Sequence, residues 1–187
     1  KGLKRNSFLA SELRLNDFRL EFEVKLSPDA ENSGVQIRSV LLPDGEMAGP
    51  QADIGKGWWG KLYEERGRGL LWPKSGEAHV KPGEWNKYAI EAKGARVRTW
   101  INGQPCVDLT DEKLSRSGQI GLQLHSDGWA GARLGLLAVP GGVLFGTARR
   151  FPAIRNGFAV DQVAAFIFRI ICAAFPVFEF VQISQFL

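Results

Sequence analysis

The sequence predicts an all-β domain in residues 1–128, built as an antiparallel sandwich or barrel. Several short segments there alternate apolar and polar residues, which is the period of a strand with one buried face. Turn residues separate these segments, and no amphipathic helix lies between them. The 22 glycines in a chain of 187 residues also suit a turn-rich β fold better than a helical bundle.

The alternation is clearest in residues 18–26, where apolar and charged side chains succeed each other without a break. The asparagine–glycine pair at 102–103 lies between two strand-like segments, and this pair is the strongest short signal for a β-hairpin. The other segments show the same pattern over shorter lengths. In chain order, the predicted strands are 18–26, 34–39, 51–54, 60–64, 85–92, 97–101, 105–109 and 118–125.

Residues 129–187 differ in composition and form an atypical apolar tail. Segments such as 135–142 are apolar without alternation, and residues 159–175 are apolar enough to form a helix. Asp161 and Arg169 interrupt that helix, so it falls short of the roughly 20 apolar residues that a membrane span needs. We therefore expect a tail that is helical in part and does not cross a membrane.

Charge and cysteine content argue against two other classes of function. The net charge of +4 comes from basic and acidic side chains that are interspersed, without a basic stripe. We therefore expect no nucleic-acid partner. The two cysteines, Cys106 and Cys172, lie far apart, so they suggest neither a disulfide framework nor a cysteine–histidine metal site.

Period-2 geometry groups polar side chains from three predicted strands on one face of a sheet. In residues 34–39, Val35 and Ile37 share one face, and the intervening polar side chains share the other. Segments 51–54 and 120–125 divide in the same way. A solvated sheet face is the alternative interpretation, but these planar hydrogen-bonding groups suit hydroxyl ligands. The grouped residues are Gln36, Arg38, Gln51, Asp53, Gln123 and His125.

The segment that follows the third predicted strand adds aromatic and charged candidates. Alternation places Tyr63 and Glu65 on one face and Glu64 on the other. Because the apolar Leu62 shares the face of Glu64, we expect Tyr63 on the polar side, while a bulge at the strand end keeps Glu64 as a candidate. The two adjacent tryptophans offer an aromatic platform. The candidates from this segment are Trp58, Trp59, Lys61, Tyr63 and Glu64.

Short segments within residues 1–126 match one known family in order and spacing. They are 6–11, 17–22, 32–39, 49–55, 58–65, 81–86, 100–103 and 121–126. On these segments the chain resembles the 3-keto-disaccharide hydrolase family. The resemblance implies a jelly-roll sandwich of the concanavalin A-like lectin and glucanase type, in an exported bacterial protein that is secreted or periplasmic.

The sequence departs from the family pattern at two places. An early strand that precedes the first matching segment in the family is not found, and residues 127–133 stand where the family has its closing strand. We therefore expect a domain over residues 1–128 with a bare sheet edge, which costs stability and invites aggregation. For residues 129–187, a shifted reading frame and poor order are the two hypotheses.

The resemblance implies hydrolysis of glycosides oxidised at the 3-position of the sugar. A ketone at C3 acidifies the proton on C2, so a base removes it, the C1 oxygen leaves, and water then adds to the enone. This route needs a base, an acid and a group that stabilises the enolate oxygen. The candidate catalytic residues are Asp53, His125, Glu64 and Arg38, and the candidate substrate-binding residues are Gln36, Gln51, Trp58, Trp59, Lys61, Tyr63 and Gln123.

The individual roles stay open in the sequence. The candidates for the base are His125, Asp53, Glu64 and Glu65. Arg38, Lys61 or a bound divalent cation holds the enolate oxygen, and no cofactor is certain. Because fold does not decide function, a non-catalytic carbohydrate-binding module is the alternative function, and a fragment with an incomplete groove is a third interpretation.

Overall fold

A computed structural model of the protein describes residues 6–27, 31–125, 133–137 and 169–171. Their regular structure is almost entirely β, with one 3-10 helix at Glu77–His79. In chain order, the strands are β1 (Ser7–Leu15), β2 (Phe18–Ser27), β3 (Asn32–Leu41), β4 (Met47–Gly55), β5 (Leu62–Glu65), β6 (Gly69–Trp72), β7 (Asn86–Lys93), β8 (Arg96–Ile101), β9 (Gln104–Thr110), β10 (Gly118–Leu124), β11 (Arg133–Leu137) and β12 (Arg169–Ile171). Within these ranges, no helix is long and apolar enough to cross a membrane.

The strands form two antiparallel sheets. The first sheet has the order β1-β10-β3-β4-β5-β6, and the second has the order β11-β2-β7-β8-β9, with β12 also paired to β2. Neighbours in sequence pair in several places, as in β3 with β4 and β7 with β8, but β10 inserts between β1 and β3. This arrangement confirms the predicted all-β sandwich.

One hydrophobic core lies between the sheets and is lined by every second residue of the central strands. On β2 and β7, the rings of Phe22 and Tyr88 stack with centroids 5.3 Å apart. From the first sheet, Ile37 and Ile54 are fully buried in the same core. Truncating a buried aromatic ring of this kind costs about 3–5 kcal/mol. Because successive side chains of a strand point to opposite faces, the residues of the first sheet that alternate with these core residues face away from the second sheet.

The predicted hairpin at 102–103 is present and joins β8 to β9. Asn102 has φ 51° and Gly103 has φ 81°, which are the left-handed conformations that a two-residue hairpin turn with native twist requires. The Asn102 side chain also donates to the carbonyl of His79 at 2.7 Å. The turn therefore fixes the loop before β7 as well as the hairpin itself.

Strands at the sheet edges differ from what the alternation predicts. β1 and β6 are not predicted as strands, and β1 is irregular between Ala10 and Arg14. β11 pairs with β2 at the edge that the sequence leaves bare, so this edge is covered over Arg133–Leu137. Within 159–175, where the composition allows a helix, Arg169–Ile171 instead form a strand. The rest of the apolar tail lies outside the described residues.

Candidate functional site

The register of four neighbouring strands assembles a polar surface on the first sheet. Gly121 lies opposite Gln36, Gln36 lies opposite Gln51, and Gln51 lies opposite Tyr63. Directly opposed residues project to the same side of a sheet. Val35, which precedes Gln36 on β3, points to the other side and into the core. We call the surface that points away from the core the polar face. Its defining residues are Gln36, Gln51, Asp53, Tyr63, Glu65 and Gln123.

Amide side chains on the polar face form one buried hydrogen-bond network. Gln36 Nε2 donates to Gln51 Oε1 at 3.0 Å. Gln51 Nε2 donates to Asp53 Oδ1 at 3.0 Å and to Gln123 Oε1 at 3.2 Å, which uses both of its protons. Ser39 Oγ donates to Gln36 Oε1 at 2.6 Å and fixes the far end. The predicted substrate-binding residues Gln36, Gln51 and Gln123 thus lie together and are hydrogen-bonded to one another beside the Asp53 carboxyl.

Two glycines leave the space that this network occupies. A Cβ on Gly34 would lie 2.5 Å from Gln51 Cδ, so the Gln51 side chain crosses the strand only because residue 34 has no side chain. A Cβ on Gly121 would lie 2.1 Å from Sδ of the buried Met47 and 3.3 Å from Cβ of the network residue Gln36. Close approach of a side chain is a usual reason for glycine within a strand. Glycine at these positions is therefore a requirement of the site.

Asp53 is the most strongly perturbed carboxyl on the polar face. It is only 3 % exposed, and its Oδ2 atom has no hydrogen-bond partner among the described residues. Burial raises the pKa of Asp53 to about 7, and the charge of Glu65 also raises it, whereas the Gln51 hydrogen bond and the charge of Lys61 lower it. Leaving such an oxygen unsatisfied costs about 1–3 kcal/mol. The fold therefore keeps, at a cost in stability, a group that exchanges a proton near neutral pH.

Glu65 is a second carboxyl on the same face. Gln123 Nε2 donates to Glu65 Oε1 at 3.4 Å. Burial raises the pKa of Glu65, and the nearby charge of Glu46 acts in the same direction, while the charge of His125 is the largest opposing influence. His125, one of the predicted catalytic residues, is therefore close enough to Glu65 for its charge to act on that carboxyl. The polar face thus joins two carboxyls through amide side chains.

The exposed Trp58 and the half-buried Lys61 and Tyr63 form the rim of the polar face. Trp58 is 36 % exposed, Lys61 Nζ lies 5.0 Å from its ring centroid, and the Tyr63 ring packs edge-on at 6.1 Å. Glu77 stabilises the turn that contains Trp58, because its Oε1 atom accepts a hydrogen bond from the Gly57 amide at 2.7 Å. An exposed indole with polar neighbours suits contact with a flat, hydroxylated ring. Trp58 and Lys61 were both predicted from the sequence.

Arg38 does not lie on the polar face, so the expectation that it shares the face of Gln36 is wrong. The pairing of β3 with β4 is irregular after Gln36, and Arg38 has φ 48°, so a bulge redirects its side chain. Arg38 is buried and donates to the carbonyls of Asn16 at 2.5 Å and Gly94 at 2.7 Å. It also forms an ion pair with Asp17 at 2.9 Å. These contacts join turns of the two sheets.

Trp59 and Glu64 also lie away from the polar face, which corrects two further expectations. Trp59 is 2 % exposed and belongs to the hydrophobic core, so the aromatic platform consists of Trp58 without it. Glu64 forms an ion pair with Arg68 at 2.6 Å, and this hydrogen bond holds the pKa of Glu64 below its usual range. The pairing of β5 with β6 is irregular between Leu62 and Tyr63, but this does not bring Glu64 to the polar face, since Glu64 lies on the same side of β5 as Leu62, which is buried in the core.

One member of the network, Ser39, is not among the sequence candidates for catalysis or binding, whereas Glu65 is one of the candidates for the base. Ser39 follows the bulge of β3, and no local pattern signals its contact with Gln36. Glu65 lies two positions after Tyr63, so the period of the strand was the available signal for it. In the part of the chain that the structure describes, no group of three or more His, Cys, Asp or Glu side chains is arranged to hold a metal ion.

Comparisons with solved structures agree with this architecture. A protein from Parabacteroides distasonis ATCC 8503, named as a candidate glycosyl hydrolase, superimposes with a TM-score of 0.54 at 19 % identity over 73 % of this chain and 82 % of that chain. The carbohydrate-binding module CBM66 from Bacillus subtilis gives a TM-score of 0.50 at 16 % identity over 71 % of this chain and 79 % of that chain. At these identities the likeness concerns the fold alone.

Family membership comes from the sequence. No curated protein matches the chain. Residues 1–132 match the family described as the 3-keto-alpha-glucoside-1,2-lyase-like domain. This match covers β1 to β10 and all residues of the polar face. The chain, which folds as an antiparallel β-sandwich, therefore belongs to the 3-keto-alpha-glucoside-1,2-lyase-like domain family.

Proposed function

We propose that the protein cleaves the C1–O bond of 3-keto-glucosides by elimination across C1 and C2, followed by addition of water. The observation that carries this proposal is Asp53. Its carboxyl has a pKa of about 7, one oxygen without a partner among the described residues, and a position fixed by Gln51. A general base works best when its pKa lies near the operating pH. Membership of a family described as lyase-like supports this chemistry.

Asp53 is the base in the elimination step. The ketone at C3 acidifies the hydrogen on C2, and Asp53 Oδ2, which is buried in the free protein, takes that proton once sugar binding has opened the polar face to it. The electron pair of the C2–H bond forms the C1=C2 double bond, the C1–O bond breaks, and the leaving oxygen acquires a proton. In the second step, water adds its hydroxyl to C1, and a proton returns to C2 from Asp53. The net reaction consumes one water and releases a 3-keto-sugar and an alcohol.

The rim residues orient the sugar in this proposal. The exposed ring of Trp58 stacks on the sugar, and Tyr63 on the adjacent strand offers a hydroxyl to the sugar oxygens. Lys61 is the rim cation, and its charge already acts on Asp53. A cation that faces a developing enolate oxygen stabilises the transition state, and losing one such donor costs about 10²–10³ in kcat. We therefore assign Lys61, and not Arg38, to the enolate oxygen.

The amides Gln36, Gln51 and Gln123 hold the base in this scheme. Their hydrogen bonds to one another fix the Asp53 carboxyl, which leaves only Oδ2 to accept the substrate proton. A fixed base avoids reorganisation during the reaction and so lowers the barrier. Direct binding of the sugar then falls to the exposed rim.

Turnover of 3-keto-trehalose by purified protein tests the proposal. We expect release of glucose and 3-keto-glucose by the wild type, and a loss of kcat by about 10²-fold or more in Asp53→Asn, because the variant lacks a base. Asp108→Asn is the matched control, since Asp108 is an exposed aspartate that pairs with Arg96 on the second sheet. Wild-type protein that is folded and leaves 3-keto-trehalose intact would refute the proposal.

A non-catalytic carbohydrate-binding module is the second candidate function, and the exposed Trp58 favours it. An aromatic platform with polar neighbours suffices for binding, whereas turnover also requires the base. Calorimetric titration with the keto-sugar separates the two. Binding without turnover, unchanged by Asp53→Asn and abolished by Trp58→Ala, is the result expected of a binding module.

A further inference from the structure

The elimination requires a proton for the leaving oxygen, and the polar face holds a second carboxyl that the scheme above does not use. Glu65 lies on β5 on the same side as Tyr63, and Gln123 Nε2 donates to its Oε1 at 3.4 Å. Gln123 is in turn the acceptor of a proton from Gln51, which also bonds Asp53. The two carboxyls are thus the two ends of one amide chain.

The direction of the hydrogen bonds in this chain matters for the two carboxyls. Gln51 Nε2 donates one hydrogen bond to Asp53 Oδ1 and the other to Gln123 Oε1. Since Gln123 accepts through its oxygen, its amide nitrogen is directed toward Glu65. Each carboxyl therefore receives one amide hydrogen bond, and Asp53 Oδ2 has no partner among the described residues.

The two carboxyls are coupled: because the charge of Glu65 raises the pKa of Asp53, a proton on Glu65 makes Asp53 easier to ionise. Burial and the charge of Glu46 raise the pKa of Glu65, while His125 and Arg66 oppose them. Two neighbouring carboxyls in a buried site do not ionise equally, and enzymes use such pairs as acid and base.

We propose that Glu65 is the general acid that protonates the leaving oxygen, an assignment that rests on the proposed function. As the C1–O bond breaks, its electron pair remains on the oxygen, and the Glu65 O–H proton is transferred to that oxygen. The products of this step are the alcohol and the Glu65 carboxylate. When water then adds to C1, the carboxylate takes the second proton of the water molecule, which restores the acid.

Leaving-group dependence distinguishes this role from a structural one. A p-nitrophenolate departs without protonation, whereas the sugar alkoxide of trehalose does not. We therefore expect Glu65→Gln to lower kcat/KM on 3-keto-trehalose by about 10²–10⁴-fold, and to lower it by less than about 10-fold on p-nitrophenyl 3-keto-α-glucoside. Glu64→Gln is the matched control, because Glu64 is the adjacent residue and pairs with Arg68 on the other side of β5. It should leave both substrates within about twofold of wild type.

Each outcome bears on a different assignment. An active wild type with equal losses on both substrates in Glu65→Gln, or with no loss on either, overturns the Glu65 assignment and leaves the proposed function standing. A wild type inactive on both substrates overturns both. If Glu65→Gln does not fold, the wild type alone decides across a series of aryl 3-keto-glucosides. Rates nearly independent of the leaving phenol, without an isotope effect from deuterium at C2, support protonation by an acid, and rates that fall steeply as the phenol becomes less acidic refute it.

Discussion

Replacing Asp53 by asparagine should stabilise the protein at neutral pH while it removes the base. Asp53 is almost completely buried, and its pKa lies at about 7 where the ordinary value is 3.8. Each tenfold change in proton affinity corresponds to about 1.36 kcal/mol, so keeping Asp53 ionised in the folded protein costs roughly 4 kcal/mol. Asparagine is neutral at every pH and retains an oxygen that accepts the Gln51 hydrogen bond.

The pH dependence follows from the direction of this pKa. Because the folded protein binds the Asp53 proton more tightly than the unfolded chain does, the free energy of unfolding falls as the pH rises from about 4 to about 7. The stabilising contribution is complete below about pH 4 and is lost above about pH 7. Glu65, whose pKa is also raised, adds to the same trend. Asp53→Asn should remove the larger part of this pH dependence of the free energy of unfolding.

Urea denaturation at pH values from about 4 to 8, followed by tryptophan fluorescence, measures this effect. We expect Asp53→Asn to exceed the wild type in free energy of unfolding by about 2–4 kcal/mol at pH 8, with the gap closing toward pH 4. The control Asp108→Asn should run parallel to the wild type over this range, since Asp108 is exposed and its pKa is lowered by Arg96. Parallel curves for wild type and Asp53→Asn would refute the burial argument.

Four further substitutions test the placement of side chains. Trp59→Ala should destabilise the protein by about 3–5 kcal/mol in urea denaturation, whereas Trp58→Ala should leave stability nearly unchanged and raise KM for 3-keto-trehalose; the opposite pattern would contradict the assignment of Trp59 to the core. Arg38→Met should lower the free energy of unfolding by about 2–4 kcal/mol, because it leaves buried carbonyls without a hydrogen-bond donor, while kcat per folded molecule stays unchanged. A selective loss of kcat would show that Arg38 acts in the functional site. Gly34→Ala should displace Gln51 and lower kcat by at least about tenfold, and unaltered kcat would show that the network does not position Asp53.

The sandwich and much of the polar face could be predicted from strand period alone. Gln36, Gln51 and Gln123 lie on regular segments, so alternation and the register of neighbouring strands bring their side chains together. The glycines between them reinforce that result, since Gly34 gives Gln51 the space to reach across the strand. Where the backbone stays extended, a period of two residues is sufficient to place a side chain.

The predictions failed where the backbone departs from that period. The bulge at Arg38, with φ 48°, turns its side chain from the polar face to the junction of the two sheets. Trp59 lies in a turn where the Trp59 amide bonds to the carbonyl of Gly55 at 2.9 Å, and alternation does not apply there. The raised pKa of Asp53 depends on burial by strands distant in sequence, which no local pattern encodes.

The central claim is that the hydrogen on C2 of the sugar is removed by Asp53, and turnover in D₂O tests it most directly. The 3-keto-glucose formed from 3-keto-trehalose is analysed by mass spectrometry and proton NMR at early times, with product incubated with Asp53→Asn as the control for spontaneous exchange. Elimination and hydration predict deuterium at C2 of the product wherever the Asp53 proton exchanges with solvent before it returns, and a lower kcat/KM for 3-keto-trehalose that carries deuterium at C2. Product that retains its original C2 hydrogen and forms at the same rate from the deuterated and the ordinary sugar would contradict the account.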